Sequence, residues 1–272
     1  MMSIALAGAA PAQNSATTPS PGASIVSSAP SDVVKDLVPT GKLRAAINLG
    51  NMVLAQKEPA TGELRGVTID LARELARRLA VPLELVPFDA AGKVFEALKG
   101  GAWDIAFLAI EPVRAAEIAF TAPYVLIEGV YMVRKDSPLH SVAEVDRPGV
   151  RIAVNKGSAY DLYLTRTIKH ATLMRAESGI DLFVRDKLEV AAGVKQPIVE
   201  FAKTHADMRV MDGRFMEIRQ AMGTPRARYQ GRDAAPRYLH AFVEEMKASG
   251  FVAKALARSN QPDAAVAPAE QN

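Results

Sequence analysis

Arg114 is the residue whose type and position most directly suggest ligand chemistry. It follows Glu111-Pro112-Val113, and proline is favoured in the first turn of a helix, where its missing N–H would have no partner. An arginine in that turn lies beside free backbone donors, and its planar guanidinium can hold a carboxylate through two parallel hydrogen bonds. The alternative is an ordinary solvated arginine on a helix, and spacing alone leaves both interpretations open.

Two further segments carry groups that could contact a ligand. Gly157-Ser158 follows an apolar run and offers backbone donors and a hydroxyl to an anion. The alternative is an ordinary serine cap of a helix. Asp186 follows a run from Asp181 to Val184 that predicts a strand, so its carboxylate could meet a ligand ammonium at the strand's end. Capping of the following helix is the alternative for these aspartates.

The composition narrows the possible chemistry. Of 272 residues, 49% are hydrophobic and 23% are charged, which is typical of a globular protein. The net charge of +3 is too small and too evenly distributed to predict nucleic-acid binding. The absence of cysteine excludes disulfides and thiolate chemistry. The four histidines are widely spaced along the chain, so we expect no metal site. The sequence has neither a P-loop nor a dinucleotide glycine motif, and we expect no cofactor.

The two ends of the chain are predicted to lie outside the folded core. Residues 1–12 resemble the end of a signal peptide, with an Ala-Pro-Ala cleavage site at 10–12, although an alanine-rich tail is the alternative. Residues 13–31 are rich in Ser, Thr, Pro and Gly, which is typical of a flexible linker. We therefore predict a signal remnant and linker over 1–34, a flexible tail over 261–272, and export.

Between these ends, helix patterns alternate with strand patterns. Apolar residues at helical spacing predict a helix over 67–79, flanked by strands over 43–49 and 83–88. The alternation resumes after a long apolar segment at 124–133, which implies two α/β lobes with largely parallel sheets. Further helices are predicted over 94–98, 113–118, 160–168, 188–204, 236–248 and 251–258, and further strands over 105–108, 151–155, 171–175, 181–184 and 208–211.

Several short motifs occur in the order found in the family 3 extracellular solute-binding proteins, which deliver polar amino acids to ABC importers. Residues 66–72 resemble the family's GFDVDLA helix, and residues 111–124 are similar to its TPERAKxIDFSxPY segment. The resemblance covers about residues 40–258. It implies the type II periplasmic-binding-protein fold, an α/β fold in which two lobes are joined by two hinge strands, here around 124–133 and 215–223.

The resemblance also implies a domain organisation and a function. Residues 35–127 and 216–260 would form a first, discontinuous lobe, and residues 128–215 a second. The chain would be the substrate-binding component of an ABC importer, capturing a small carboxylate-bearing solute between the lobes by hinge closure. Its partners would be that solute and a permease in the inner membrane, and we expect a periplasmic monomer.

Site residues follow from the same resemblance. It implies that Arg114 holds the ligand carboxylate, that Ser158 adds a donor, and that Asp186 receives the α-ammonium. A standard polar amino acid is then the expected ligand.

The chain departs from the family on the side of the ligand's own side chain. Phe107 and Ala109 stand where the family often has Ser or Thr, and Met52 lies in a segment where the family often has an aromatic residue. We expect these three residues to contact the ligand in a pocket that is less aromatic than usual.

Two rival functions use the same scaffold. A dehydratase-like enzyme would need an acid in the cleft, for which Glu111 is the nearest candidate, although a helix N-terminus also favours a negative charge. A ligand-sensing module would normally be fused to a membrane span.

Overall fold

The computed structural model describes Met1 and residues 29–229, 231–261 and 264–270. The predicted signal remnant at 1–12 falls almost entirely outside these residues. Helices over the described residues are α1 (Ser31–Leu37), α2 (Val67–Leu79), α3 (Ala91–Glu96), α4 (Pro112–Ala115), α5 (Ala159–Thr167), α6 (Gly179–Arg185), α7 (Lys195–Thr204), α8 (Ala234–Ala248) and α9 (Phe251–Arg258). The strands are β1 (Leu43–Asn48), β2 (Gln56–Lys57), β3 (Leu64–Arg65), β4 (Leu83–Phe88), β5 (Ile105–Ala109), β6 (Ile118–Arg134), β7 (Arg151–Asn155), β8 (Thr172–Ala176), β9 (Val190–Val194), β10 (Met208–Val210), β11 (Met216–Pro225) and β12 (Ala265–Val266).

The main sheet consists of two parallel halves with two long strands between them. Its strands run in the order β4-β1-β5-β11-β6-β9-β7-β8. In the first half, β1 lies between β4 and β5 and is parallel to both. In the second half, β7 lies between β8 and β9 and is again parallel to both. The alternation of helices and strands along the chain is therefore realised as two α/β lobes with the same strand arrangement.

Strands β6 and β11 join the two lobes. They pair antiparallel from Gly129 opposite Met216 to Ile118 opposite Pro225. At its start β6 lies among the strands of the first lobe, and at its end it pairs with β9 of the second. The predicted fold class, with two lobes on two hinge strands, is confirmed. The lobe boundaries at 127/128 and 215/216 stay a prediction.

Helix α2 illustrates how the local sequence determines the packing. Its side chains Leu71, Leu75 and Leu79 are buried along one face, and burial of each contributes about 1.5–3 kcal/mol. The helix begins after Gly66, whose φ of 128° favours glycine. A Cβ at that position would lie 2.3 Å from the carbonyl oxygen of Leu54, so any other residue would also displace the neighbouring loop.

Two predicted elements in the second lobe are wrong. The predicted strand at 181–184 belongs to helix α6, because Ser178 caps a helix there: its Oγ accepts from the backbone N–H of Asp181 at 3.2 Å. The predicted helix at 188–204 is split into β9 and α7. The five-residue run that forms β9 is nearly all buried, and a short buried run of this kind has no periodicity that separates a strand from a helix.

Both ends of the described chain are more structured than the sequence predicts. Helix α1 overlaps the segment predicted as linker, and it buries Val33 and Leu37 in the core beside α8. Strand β12 lies inside the predicted tail and pairs antiparallel with Leu126 and Val125 of β6. Helix α1 and strand β12, near the two ends of the described chain, therefore both pack on the first lobe.

Candidate ligand-binding site

A cavity of about 150 Å³ lies between the two lobes. In open α/β sheets, ligands bind beyond the carboxyl ends of the strands, and residues at those ends line this cavity. Strands β1 and β5 of the first lobe contribute Asn48 and Ala109, while β7 and β9 of the second contribute Asn155 and Val194. The hinge strand β11 contributes Gln220. The cavity therefore has walls from both lobes and from the hinge.

Arg114 reaches this cavity from the short helix α4, which spans Pro112–Ala115 where a helix over 113–118 was expected. Its side chain is buried, with 1% of the residue exposed. Nη1 donates to the carbonyl oxygen of Ala109 at 3.2 Å, and Nη2 donates to that of Gly157 at 2.8 Å. Nε has no hydrogen-bond partner. The guanidinium thus links the two lobes, and its Nε–H has no acceptor.

The positive charge of Arg114 is unusual because it is buried. Burial lowers the pKa of Arg114 to about 10, and the nearby charge of Glu111 acts in the opposite direction. The guanidinium still carries its proton at neutral pH. The two carbonyls that it contacts are neutral, so a buried positive charge faces the cavity, and an anion there would stabilise it.

Glu111 is committed to a different contact. It occupies the N-cap position of α4 and is 2% exposed. Its carboxylate forms an ion pair with Arg166 of α5, which belongs to the other lobe. Glu111 does not line the cavity. This pair is a second connection between the lobes, and sequence reasoning missed it because the two residues lie far apart in the chain.

Ser158 lines the cavity and also caps helix α5, so both interpretations of this residue hold together. Its Oγ accepts from the backbone N–H of Asp161 at 3.1 Å. The Asp161 carboxylate in turn accepts from the N–H of Gly157 at 2.8 Å and from Arg175. These bonds fix the loop that presents the Gly157 carbonyl to Arg114.

The three residues expected to contact the ligand's side chain have different positions. Ala109 lines the cavity. Phe107 lies two residues deeper in β5, is 2% exposed, and packs edge-to-face against Tyr124 in the core beneath the cavity. Met52 is 62% exposed and lies outside the cavity wall. Only Ala109 of the three is placed to contact a bound solute.

Asp186 lies outside the cavity, which corrects the role expected for it. It follows the last residue of α6, is exposed, and pairs with Arg185 at 2.7 Å. That hydrogen bond lowers the pKa of Asp186 below its usual value. The expectation failed because residues 181–184 form part of a helix, so Asp186 is at a helix end and not at the carboxyl end of a strand.

Replacement of Asp186 should therefore leave ligand binding unchanged. We expect Asp186→Asn to show the same thermal stabilisation by small carboxylic acids as the wild-type protein, because no atom of this side chain reaches the cavity. Differential scanning fluorimetry with glycolate and with L-alanine measures this. If Asp186→Asn kept the stabilisation by glycolate but lost that by L-alanine, Asp186 would be shown to bind the ligand's ammonium group.

Amide side chains are the part of the site that the sequence did not reveal. Asn51 is 8% exposed, lines the cavity, and has an Oδ1 atom without a hydrogen-bond partner. Gln220 is buried in the hinge strand at the cavity wall. Asn48 lines it too, and its Oδ1 accepts from the N–H of Gly50 at 3.1 Å. Asparagine and glutamine are common surface residues, so only the fold singles these out.

Neither a metal cluster nor a membrane span is found among the described residues. Nowhere in them do three or more His, Asp or Glu side chains come together as a metal site would require. In the same part of the chain, each helix is too short or too polar to cross a bilayer.

Comparison with known families agrees with this architecture. Residues 53–259 match the family described as bacterial extracellular solute-binding proteins, family 3. The chain belongs to this family. Among curated relatives, the glutamine-binding protein of Geobacillus stearothermophilus is 23% identical over 233 residues, which span 82% of this chain and 88% of the relative.

Solved structures of other binding proteins share the fold. A mutant of ArgBP from T. maritima matches 84% of this chain and 99% of its own length, with a TM-score of 0.68 and 20% identity. An ancestral amino acid-binding protein, a precursor of cyclohexadienyl dehydratase, matches 83% of this chain and 97% of its own length, with a TM-score of 0.67 and 22% identity. At these identities the likeness concerns the fold alone.

Proposed function

We propose that this family 3 protein is the substrate-binding component of an ABC importer and captures a small carboxylate-bearing solute between its lobes by hinge closure. The observation that carries the proposal is Arg114. It is a buried, protonated guanidinium on the cavity wall, and its Nε has no partner. A ligand carboxylate would supply both the missing acceptor and the missing negative charge.

Contacts between the lobes support closure as the mechanism. Arg114 of the first lobe donates to the Gly157 carbonyl of the second, and Glu111 pairs with Arg166 across the same gap. At the cavity mouth, Lys93 of α3 lies 3.8 Å from Glu177 of the second lobe. Each of these contacts would break if the lobes separated, so they favour the closed arrangement, and a bound anion on Arg114 would add to them.

The relatives support a transport role. The glutamine-binding protein and ArgBP are named as binding proteins, and the family is named for extracellular proteins. On this basis we propose that the chain is exported to the periplasm, acts as a monomer, and presents its closed form to a permease in the inner membrane. An amino acid or a related organic acid is the solute class that these relatives suggest.

Binding without turnover is the function that the site favours over catalysis. An acid acting on a bound solute must reach it. Glu111, the candidate expected from the sequence, forms an ion pair with Arg166 and does not line the cavity. The acids that do line it, Asp89 and Glu177, have exposed side chains near Lys93. We therefore propose that the protein is not an enzyme.

A thermal-shift comparison of matched ligands tests the proposal. The full chain is heated with small carboxylic acids and α-amino acids, and in parallel with the primary amide of each. We expect the best carboxylate, at about 100 times its Kd, to stabilise the folded protein by about 2.7 kcal/mol. For a chain of this size that corresponds to a rise in Tm of roughly 5–10 °C.

The amides are the control, because they keep the shape of each ligand and remove its negative charge. They should give no shift. If no carboxylate shifted the Tm, or if the amides worked equally well, Arg114 would not be an anion site and the proposed function would fail.

A further inference from the structure

Two residues that line the cavity each have a buried polar atom without a hydrogen-bond partner, and the two atoms are of opposite kinds. Arg114 Nε is a donor on a residue that is 1% exposed, and Asn51 Oδ1 is an acceptor on a residue that is 8% exposed. Both residues line the same cavity. Buried polar groups are nearly always paired, so a solute that accepts at one atom and donates at the other would complete the site.

The acidic residues that line the cavity stand at its mouth. Among the described lining residues these are Asp89 and Glu177, whose side chains are 83% and 76% exposed. Both lie near the same cation, since Lys93 Nζ is 3.3 Å from Asp89 and 3.8 Å from Glu177. The interior wall, as far as the structure describes it, therefore has no buried carboxylate that faces a solute.

A ligand ammonium would be poorly accommodated in this interior. It would leave water, find amide groups in place of a carboxylate, and share the cavity with the charge of Arg114. Burial of a charge without a partner of opposite sign is strongly unfavourable. The nearby carboxylates of Glu111 and Asp161 are already bound to Arg166 and Arg175.

A hydroxyl would be well accommodated. It is neutral, so its burial needs only one good acceptor, and Asn51 Oδ1 is free to be that acceptor. The other polar side chains at the wall include the neutral amides of Asn48 and Gln220. The cavity volume of about 150 Å³ is that of a site which holds a molecule as small as benzene.

We propose that the solute is a small hydroxy monocarboxylate without an ammonium group. Its carboxylate accepts from Nε of Arg114, and its hydroxyl donates to Oδ1 of Asn51. The inference rests on the proposed function, since it concerns the same cavity, but it names a narrower class of solute.

Matched ligand pairs test this class directly. Lactate and alanine differ only in a hydroxyl against an ammonium, as do glycolate and glycine. We expect isothermal titration calorimetry of the full chain to give a Kd for each hydroxy acid at least tenfold below that of its amino acid. Equal affinity, or tighter binding of the amino acids, would overturn the inference and leave the proposed function intact. Failure of both ligand types and of propionate, while a larger amino acid still stabilised the protein in the thermal-shift comparison, would likewise overturn the inference and leave the proposed function intact.

Variants with an engineered carboxylate at the cavity provide a second test of the proposed class of solute. Asn51→Asp keeps the shape of the side chain and places a negative charge at the free acceptor. We expect it to raise the affinity for alanine relative to lactate by at least tenfold. Val194→Asp places a carboxylate at the cavity from the opposite lobe, and we expect the same change in relative affinity. Residue 194 is half-buried at the N-cap of α7, a position that favours aspartate.

Melting of each ligand-free variant shows that it is folded before its ligand preference is measured. The use of two positions keeps the test valid if one of them does not fold. An unchanged lactate-to-alanine ratio in a folded variant would mean that the ammonium has a partner elsewhere, and the proposed class would be wrong.

Discussion

Arg114→Gln should abolish the stabilisation of the protein by small carboxylates while leaving the ligand-free fold intact. Charge-assisted hydrogen bonds to a carboxylate contribute roughly 1.5–3 kcal/mol each. Loss of one or two of them would raise the Kd by about tenfold to 10,000-fold. Titration calorimetry with lactate and with alanine, alongside thermal melting, measures both effects.

The ligand-free protein is expected to keep or raise its Tm in this variant. The pKa of Arg114 is lower in the folded chain than the usual value of 12.5, so at neutral pH its buried charge opposes folding. The difference corresponds to an order of 3 kcal/mol. Glutamine removes that cost because its amide is uncharged.

Arg114→Lys is the matched control, since it keeps the positive charge and loses the planar fork of donors. We expect intermediate affinity, because lysine acts as a point charge and does not reproduce the guanidinium geometry. A glutamine variant that still responds to carboxylates would show that the anion binds elsewhere.

Local patterns were sufficient for much of the fold. The helix at 67–79, the strands at 83–88 and 151–155, and the helix at 251–258 have the bounds that were predicted. Each of these elements carries its own signal. In α2, apolar side chains recur at helical spacing, and Pro82 follows soon after the helix ends.

The secondary-structure predictions were wrong where a local pattern fits both a helix and a strand. Residues 181–204 contain short apolar runs of three to five residues, which fit a helix and a strand equally well until the neighbouring strands are known. That error moved Asp186 from an expected strand end to a helix end, and so into solvent. One misassigned element was enough to misplace one predicted ligand group.

The site itself was only partly predictable from the sequence. Arg114, Ser158 and Ala109 are expected from the sequence to contact the ligand, and all three line one cavity. The free acceptor of Asn51 and the pairing of Glu111 with Arg166 were not foreseen. Both depend on burial and on contacts between distant segments, which a single sequence does not encode in any local pattern.

Gly92→Leu is expected to hold the lobes apart and so to weaken ligand binding at least tenfold. Gly92 lies in α3 of the first lobe and faces Gly157 of the second. A Cβ on Gly92 would be 3.4 Å from the Cα of Gly157, so alanine would just fit and a leucine side chain would enter the other lobe. The apparent affinity falls in proportion to the closed fraction.

Gly92 is a better position for this test than Gly157. The φ of Gly157 is +69°, so any side chain there would strain the backbone whatever the lobes do. Gly92 is helical, and leucine favours a helix more than glycine does. The ligand-free Gly92→Leu protein should therefore fold normally.

Gly100→Leu is the matched control, because this exposed glycine follows α3 in the same lobe and a Cβ there would meet only the carbonyl oxygen of Ala97, at 3.7 Å. Small-angle X-ray scattering gives the second readout. Wild-type and Gly100→Leu proteins should have a smaller radius of gyration with bound carboxylate than the Gly92→Leu protein under the same conditions. If Gly92→Leu bound lactate and compacted as the wild-type protein does, the closed contact between α3 and the Gly157 loop would have no part in binding.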